Sequence, residues 1–311
     1  MENSTVVAIS VDLGGTKTAL GIVDQRGAVL HRAEIPTLAQ LGGVALAEHT
    51  AEAVLEHISY ARSHGWDVAG VGIGSAGVID ENGTVVTAAN VIKDWTGVQF
   101  ASIVESMTSL PTRAVNDVHA HALGEAWLGA AAQAPSSLMM AFGTGVGGSY
   151  IENGKLMRGA HSLAGHTGHF SSPLAVGLDC PCGGRGHVEA VAAGPAVLRK
   201  YLALGGAPAP DTKEVSVRAQ QGDELAQEAI IFAGQAAGIA LGDLATIFDP
   251  HLIVVSGGVV NLGDRWWTAL LDSYAQAALG QAKSTPIVLA ELGSDAPLIG
   301  AASLIHRSSL A

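Results

Sequence analysis

Short runs of apolar, β-branched residues alternate along the chain with longer segments whose apolar residues recur at helical spacing. The short runs predict strands at residues 6–11, 18–23, 68–73, 112–115, 138–142, 149–152, 252–255 and 286–290. The helical spacing predicts helices at residues 42–61, 100–109, 118–131, 224–248, 266–279 and 298–305. Strands that alternate with helices in this way are typical of an α/β protein.

The first two predicted strands enclose a polar turn that contains glycine. The strand 6–11 ends at Asp12, Gly14-Gly15-Thr16 follows, and the second strand begins at Thr18. Glycines let the backbone come close to a ligand, and a carboxylate beside such a turn suits a Mg²⁺–phosphate complex. The alternative is an ordinary hairpin with a polar turn.

A second unit of strand, glycine turn and strand lies near the middle of the chain. The strand 138–142 leads into Gly143-Thr144-Gly145-Val146-Gly147-Gly148 and then into the strand 149–152. This order repeats the opening hairpin and predicts an internal duplication, in which two α/β domains face a cleft. We expect one domain at residues 1–117, to which a C-terminal helix at 298–311 returns, and a second domain at 118–297.

The pair Asn116-Asp117 lies between a predicted strand and a predicted helix. Ligands of open α/β sheets bind at the carboxyl ends of the strands, so Asp117 is placed to accept a proton from a substrate hydroxyl. The alternative is that Asn116 or Asp117 caps the helix, and both roles can coexist across the pair.

The densest group of polar residues lies between residues 166 and 189. Cys180 and Cys182 share a short loop, with His169 upstream and His187 downstream. Two thiols and two imidazoles suit a closed, tetrahedral Zn²⁺ site, and the alternative is two unligated thiols with unrelated histidines. Glu189 begins the next helix, where it either faces the cleft or serves as a favourable acid in the first turn.

Composition restricts the partners that the chain can bind. A length of 311 residues suggests two domains, and a formal net charge of −12 opposes binding to nucleic acid or to an anionic membrane surface. Only two cysteines are present, separated by one residue, so we expect no disulfide framework and a reducing, cytoplasmic location. We also expect no signal peptide and no membrane-spanning segment.

Taken together, these motifs resemble the ROK family (repressor, open reading frame, kinase). The resemblance extends from Val7 to Ala302, and the motifs are specific in this order and spacing. The matching segments are Asp12-Leu-Gly-Gly-Thr-Lys17, Gly74-Ser-Ala-Gly77, Asn116-Asp117, Gly143-Thr-Gly-Val-Gly-Gly148, Gly165-His-Thr-Gly-His169, Cys180-Pro-Cys-Gly-Gly-Arg-Gly186 and Phe248-Asp-Pro-His-Leu-Ile-Val-Val-Ser-Gly-Gly258.

The resemblance implies an actin-like, RNase H-like fold with two α/β domains and ATP between them. It also implies transfer of the γ-phosphoryl group to a hexose hydroxyl, usually the 6-hydroxyl. Phosphoryl transfer depends mostly on positioning and charge neutralisation, so glycine turns, a metal ion and one base are sufficient. Family members are commonly dimers or tetramers, so a homodimer or homotetramer is expected.

Each expected role follows from the position of a residue in a matching motif. Asp117 is the expected general base. The residues expected to bind the sugar are Gly77, Asn90, Asn116, Asp117, His166, His169 and Glu189. The residues expected on the phosphate and Mg²⁺ side of ATP are Asp12, Gly14, Gly15, Thr16, Lys17, Gly143, Thr144 and Gly145, and those expected to approach the adenosine are Gly257 and Gly258. The expected ligands of a structural Zn²⁺ are His169, Cys180, Cys182 and His187.

Two residues depart from the family pattern. The family usually has a glutamate, which binds the sugar near its C1 and C2 hydroxyls, where this chain has His166. A neutral imidazole donates or accepts a hydrogen bond, whereas a carboxylate only accepts. Bacterial N-acetylmannosamine kinases resemble Ser162-Leu-Ala-Gly-His166 at this point, which favours N-acetylmannosamine as the substrate. The second departure is His187, where the family has its third zinc cysteine.

Other functions are compatible with the same motifs. A glucokinase that uses ATP or polyphosphate is the main alternative. A sugar-responsive repressor of the same family would need a winged-helix domain before the first strand, and only five residues precede Val6. A sugar-binding protein without catalysis is disfavoured because Asp12, Asp117 and both glycine turns are present.

Overall fold

The chain forms two compact units. The computed structural model describes residues 4–88 and 92–307. The first unit comprises Met1–Pro135, Tyr150–Ala164 and Ala290–Ala311, and the second comprises Ser136–Ser149 and Gly165–Leu289.

Most of the predicted strands and helices are present, with ends that differ by a few residues. The strands are β1 (Val6–Leu13), β2 (Lys17–Asp24), β3 (Val29–Pro36), β4 (Asp67–Ser75), β5 (Val78–Ile79), β6 (Val85–Thr87), β7 (Thr112–Asn116), β8 (Ser136–Phe142), β9 (Val146–Glu152), β10 (Lys155–Leu156), β11 (Leu252–Ser256) and β12 (Ile287–Leu289). The α-helices are α1 (Gly43–Ser63), α2 (Phe100–Thr108), α3 (Asp117–Leu128), α4 (Glu189–Ala192), α5 (Gly194–Ala203), α6 (Thr212–Gln220), α7 (Glu224–Phe248), α8 (Asp264–Ala277) and α9 (Ala296–His306).

The sheet of the first unit has the strand order β3-β2-β1-β4-β7. β1 pairs antiparallel with β2 and parallel with β4, and β4 pairs parallel with β7. Side chains alternate across the sheet, so that Val7 and Ile9 join the core formed with α1 and α2, whereas Ala8 packs with Ala302 of α9. Helices therefore cover both faces of this mixed sheet, in which the pairs on one side of β1 are parallel and those on the other side antiparallel.

Helix α9 lies very close to the sheet and to α3 because the facing residues are small. A Cβ atom at Gly72 of β4 would overlap the backbone of Ala301, and one at Gly300 would overlap the backbone of Ala120. A larger residue at either position would force the two backbones apart. The last described helix thus belongs structurally with the first strands of the chain.

The first unit contains α3, residues 150–164 and residues 290–297 in addition to its sheet. Helix α3 packs against α9, with Gly124 facing the backbone of Ala296. The two helices form one layer behind the sheet that contains β7, the strand from which α3 emerges.

A second five-stranded sheet, whose strands β8, β11 and β12 lie in the second unit, repeats the topology of the first. Its strand order is β10-β9-β8-β11-β12, and β11 pairs parallel with both β8 and β12. In each sheet the central strand leads through a glycine turn into its hairpin neighbour, while later strands pair parallel on the other side. The predicted repeat of strand, glycine turn and strand is confirmed.

The long helix α7 packs against α8 along a row of glycines. Cβ atoms at Gly234, Gly238 and Gly242 would overlap α8 or the residue that follows it. Within the described part of the chain, α7 is the one helix that is long and apolar enough to cross a membrane, but 61% of its apolar window is buried inside the protein. Its hydrophobicity is accounted for by this packing.

Candidate active site

The carboxyl ends of β1, β4 and β7 bring the predicted acidic residues to one edge of the first sheet. The strand register places Asp12 of β1 beside Gly74 of β4, and Ser75 beside Asn116 of β7. Asp117 follows directly as the first residue of α3. Residues that are more than a hundred positions apart in sequence therefore meet where ligands of parallel sheets usually bind.

Asn116 caps helix α3. Its Oδ1 atom accepts hydrogen bonds from the backbone N–H groups of Val118 at 2.9 Å and His119 at 3.4 Å. Its Nδ2 atom donates to the carbonyl of Gly77 at 2.9 Å, and Gly77 has a φ of 104° that favours glycine. Of the two helix-capping alternatives, the structure selects Asn116.

The carboxyl of Asp117 is therefore not the main cap, although its Oδ1 also accepts from Val118 N at 2.9 Å. Burial raises the pKa of Asp117, and hydrogen bonds from the Val118 backbone and the Asn116 side chain oppose that rise. Gly74 contributes by its lack of a side chain, since a Cβ atom there would lie 2.8 Å from the Cβ of Ala120 in α3. The start of α3 can thus pack directly onto the end of β4.

The carboxyl of Asp12 at this edge is also perturbed. Burial, and after it the Asp117 carboxyl, raises its pKa to about 7 against the opposing effect of the Arg32 guanidinium. Because burial and a neighbouring carboxyl both disfavour the ionised form of Asp12, a cation bound here would be stabilising. Carboxylate oxygens are ligands that Mg²⁺ prefers, so the donor set fits that ion.

The turn between β1 and β2 is closed by a hydrogen bond from Gly14 N to Lys17 O at 3.1 Å. Gly15 and Thr16 form its tip, and the Thr16 carbonyl accepts from Thr37 N at 2.9 Å. Lys17 is largely exposed, and its Nζ atom lies 3.2 Å from Glu34 on β3. The predicted nucleotide contact of Lys17 therefore competes with a surface ion pair.

In the second unit, two glycine turns lie side by side at the carboxyl ends of β8 and β11. Ser256 pairs with Ala141, so Gly257 follows one strand as Gly143 follows the other. Gly257 has a φ of 94°, and a Cβ atom there would overlap the backbone of Phe142. Gly258 has open space on the side where a Cβ would lie, which leaves room for a ligand.

Glu189 connects the glycine turn to the cysteine loop. Its side chain is almost fully buried, and Oε2 accepts a hydrogen bond from Val146 N at 2.8 Å. The Sγ atom of Cys180 lies 3.7 Å from Oε1. A Cβ atom at Gly145 would lie only 2.6 Å from Oε2, so glycine is needed at that position. The predicted sugar contact of Glu189 remains a prediction.

The four expected metal ligands form a compact cluster. One ligand atom from each of His169, Cys180, Cys182 and His187 lies within 4.8 Å of all the others. Nδ1 of His169 is 3.7 Å from Sγ of Cys180, and Nδ1 of His187 is 3.2 Å from Sγ of Cys182. Two sulfur and two nitrogen atoms at this separation fit a tetrahedral Zn²⁺ site, with His187 in place of a third cysteine.

The loop that carries this cluster is fixed by its own backbone. Cys180 N donates to Gly184 O at 2.9 Å, and Gly183 N donates to Cys180 O at 2.9 Å. Burial, more than the neighbouring Cys182 and Glu189, raises the pKa of the Cys180 thiol to about 12 in the absence of metal. Thiolate formation there therefore depends on a bound cation.

His166 directly precedes the short 3₁₀ helix Thr167–His169, and its carbonyl accepts from His169 N at 3.1 Å. The residue that replaces the usual glutamate is thus held by backbone one turn from a metal-ligand candidate. Asn90, a predicted sugar contact, lies outside the described residues.

Sequence reasoning missed three residues that support this site. Arg32 influences Asp12 from β3, a strand whose alternation of charged and half-buried residues was not recognised. Gly194, at the start of α5, donates to the glycine turn at Gly143, and Thr212, at the start of α6, donates to Gly194. The Gly194-Pro195 pair was an available signal, because proline is favoured in the first turn of a helix.

Comparisons with known proteins place the chain among sugar kinases. The ROK family model matches residues 8–308. A glucokinase of Streptomyces coelicolor is 33% identical over 97% of this chain and 98% of its own length. An N-acetylmannosamine kinase of Escherichia fergusonii is 32% identical over 98% of this chain and 100% of its own length.

A solved structure of a ROK family glucokinase is also similar to this chain. The ROK family glucokinase of Streptomyces griseus, in complex with glucose and AMPPNP, is 33% identical, with a TM-score of 0.78 over 97% of this chain and 99% of that one. Because the family model and these relatives span nearly the whole sequence, the chain belongs to the ROK family, has its actin-like ATPase fold, and is a sugar kinase.

Proposed function

We propose that this kinase transfers the γ-phosphoryl group of ATP to the 6-hydroxyl of a hexose or N-acylhexosamine, with N-acetylmannosamine as the favoured substrate. The observation that carries the proposal is the placement of Asp117. Its half-buried carboxyl lies at the strand edge shared with Asp12, while helix capping falls mainly to Asn116.

In the proposed reaction the Asp117 carboxylate accepts the proton of the 6-hydroxyl as its oxygen attacks the γ-phosphorus. The bond between that phosphorus and the β,γ-bridging oxygen breaks, and ADP leaves. The raised pKa of Asp117 makes it a stronger base than an exposed aspartate. Asn116 and Gly77, joined by their hydrogen bond, are proposed to bind sugar hydroxyls beside it.

The phosphates are proposed to lie against the turns at Gly14–Thr16 and Gly143–Gly145, and the adenosine against Gly257 and Gly258. Asp12 would hold Mg²⁺, which neutralises phosphate charge. His169, Cys180, Cys182 and His187 would hold a structural Zn²⁺, which gives the loop rigidity. We place the reaction in the cytoplasm, where ATP and free sugars are present, and propose a homodimer or homotetramer by analogy with the family.

The preference for N-acetylmannosamine rests on His166. An imidazole can donate a hydrogen bond to the oxygen of an axial N-acetyl group at C2, which a carboxylate cannot do. Glucokinase activity, with ATP or polyphosphate as donor, is the second candidate, because the curated relatives with that name are as similar as the N-acetylmannosamine kinases.

Replacing Asp117 by asparagine should remove catalysis and leave binding intact. The amide keeps the shape of the side chain but cannot accept the proton, so we expect kcat to fall by about 10²- to 10⁴-fold. The dissociation constant for ATP, measured by calorimetry, should change by less than about twofold. Asp24→Asn is the matched control, since Asp24 accepts two backbone hydrogen bonds in the turn after β2. An Asp117→Asn variant with near-normal turnover would exclude this role.

Asp12→Asn should stabilise the protein in the absence of ligands at neutral and alkaline pH. The pKa of Asp12 is about 7 in the folded protein against an ordinary value of 3.8, so folding keeps a proton that the unfolded chain releases. Below pH 3.8 the carboxyl is protonated in both states and contributes nothing. Its destabilising effect grows as the pH rises to about 7 and is complete above that value.

Asparagine carries no charge, so the Tm of Asp12→Asn minus that of the wild type should increase between pH 4 and pH 8. Thermal unfolding in EDTA, without nucleotide or sugar, measures this difference. A difference in Tm that stays constant or decreases from pH 4 to pH 8 would contradict the raised pKa of Asp12. The same variant should lose most of its kinase activity, because the proposed Mg²⁺ ligand is removed.

His166→Glu should shift substrate preference toward glucose. We expect the ratio of kcat/KM for N-acetylmannosamine to kcat/KM for glucose to fall by about tenfold or more, since the donor to the N-acetyl oxygen is lost. A coupled ADP-release assay over glucose, mannose, N-acetylglucosamine and N-acetylmannosamine measures it. His161→Ala, at an exposed histidine in the same segment, is the control. An unchanged ratio would remove His166 as the determinant of specificity.

Cys182→Ser should abolish zinc binding. The wild-type protein, expressed with zinc and dialysed, should carry about one Zn²⁺ per chain, while the variant carries almost none and unfolds at a lower temperature. Elemental analysis and thermal unfolding measure both effects. His161→Ala should retain the metal. Wild-type protein without zinc under these conditions would mean that the four residues do not form a zinc site.

A further inference from the structure

We propose that Thr212 is a positioning residue for the Gly143–Gly145 turn and acts on it through Gly194. The inference rests on the proposed function, in which this turn binds the phosphates of ATP. No motif singled out either residue, and both lie outside the segments that carry the family resemblance.

Three hydrogen bonds in series connect Thr212 to the turn. The Thr212 hydroxyl donates to the carbonyl of Gly194 at 2.6 Å. Gly194 N donates to the carbonyl of Gly143 at 2.8 Å. Gly143 N in turn donates to the carbonyl of Gly145 at 2.8 Å, which closes the turn.

The second of these bonds sets the direction of the Thr144 amide. In a trans peptide, the C=O of one residue and the N–H of the next point in opposite directions. Because the Gly143 carbonyl points to Gly194, the N–H of Thr144 points away from α5. No acceptor for this N–H exists among residues 4–88 and 92–307, so it remains available to a phosphate oxygen.

The surroundings of Gly194 leave little freedom for another arrangement. A Cβ atom at this position would lie 3.3 Å from the Gly143 carbonyl oxygen and 3.7 Å from Val259, which directly follows the second glycine turn. The residue therefore lies against both turns, and the Gly194 amide is one of the first N–H groups of α5, which have no partner inside the helix.

Thr212 is itself held in place. It is the first residue of α6, and Asp211 caps that helix by accepting from Glu214 N at 2.9 Å. The preceding loop is fixed by Arg218, whose guanidinium donates to the carbonyls of Ala207 at 2.8 Å and Pro208 at 3.0 Å. These hydrogen bonds fix the backbone that carries the Thr212 hydroxyl, as a positioning residue requires.

The test compares Thr212→Val with the wild type in nucleotide binding. Valine keeps the shape of the side chain and removes the hydroxyl, so the Gly143 peptide is held less firmly. We expect the Kd for AMPPNP and the KM for ATP to rise about three- to tenfold. The Kd for AMP, which lacks the β- and γ-phosphates, and the KM for the sugar should change by less than twofold. Thr212→Ser should restore wild-type values.

A second readout needs no ligand. In ¹⁵N-labelled protein without nucleotide, Thr212→Val should shift the amide resonances of Gly143 and Thr144. Gly194→Ala should shift the same resonances and weaken the binding of AMPPNP. It does so because the added methyl group crowds the Gly143 carbonyl, whereas Thr212→Val removes the hydrogen bond to Gly194. Thr50→Val is the matched control, because the buried Thr50 hydroxyl donates to the carbonyl of Leu46 in the first unit. It should change neither readout.

The outcomes separate this inference from the proposed function. The role of Thr212 would be overturned if the Gly143 and Thr144 resonances stayed unshifted in both Thr212→Val and Gly194→Ala. Equal losses of affinity for AMP and AMPPNP in Thr212→Val would also overturn it. Wild-type protein that binds no nucleotide while the resonances shift would overturn the phosphate assignment of the turn, and the positioning role with it. A loss of affinity for AMPPNP but not for AMP, together with shifted Gly143 and Thr144 resonances, supports the inference.

Discussion

The structure of the candidate site depends on the parallel pairing of β4 with β1 and with β7. That pairing fixes the register in which Asp12 lies beside Gly74 and Ser75 beside Asn116. Because the side chains of a strand alternate between its faces, a slip of one residue in β1 would turn Asp12 to the opposite face, toward the core formed with α1 and α2. The rise that the Asp117 carboxyl causes in the pKa of Asp12 therefore depends on the register of the sheet.

Close backbone packing makes this register compatible with helices on both faces. Glycine at positions 72, 74 and 300 lets α3 and α9 approach the sheet and each other to distances that any side chain would prevent. The second unit uses the same solution between α7 and α8. The abundance of glycine in this chain, 40 residues, thus serves helix packing as much as turns.

Much of this arrangement was predictable from local patterns. Strand β1 with its glycine turn, the strand before Asn116-Asp117 and the long helix α7 each have an uninterrupted apolar signal, and the family resemblance identified the fold. Strand β3 was missed because its residues alternate between exposed and half-buried positions, with Arg32 and Glu34 among the exposed ones, as in an edge strand. Because β3 was missed, the ion pair between Lys17 and Glu34 was not expected, since it depends on the pairing of β2 with β3.

The support of the glycine turn was not predictable in the same way. Thr212 reaches Gly194, and Gly194 reaches Gly143, through backbone carbonyls that have no sequence signature. Hydrogen bonds of this kind join residues 18 and 51 positions apart, so only the packing of α5 and α6 against the turn determines them. Local sequence propensity predicts the strands and helices, whereas hydrogen bonds between residues far apart in sequence depend on the tertiary structure.

The position of α9 has a consequence for synthesis on the ribosome. The sheet of the first unit is made from residues 6–116, but the helix that covers Ala8 and Gly72 is translated only after the entire second unit. Until residues 296–306 emerge, the part of that face which α9 covers, beside α3, remains exposed to water and to other nascent chains. The second unit, whose segments 136–149 and 165–289 are complete earlier, can bury its core first, so the unit that begins the chain is the last to be finished.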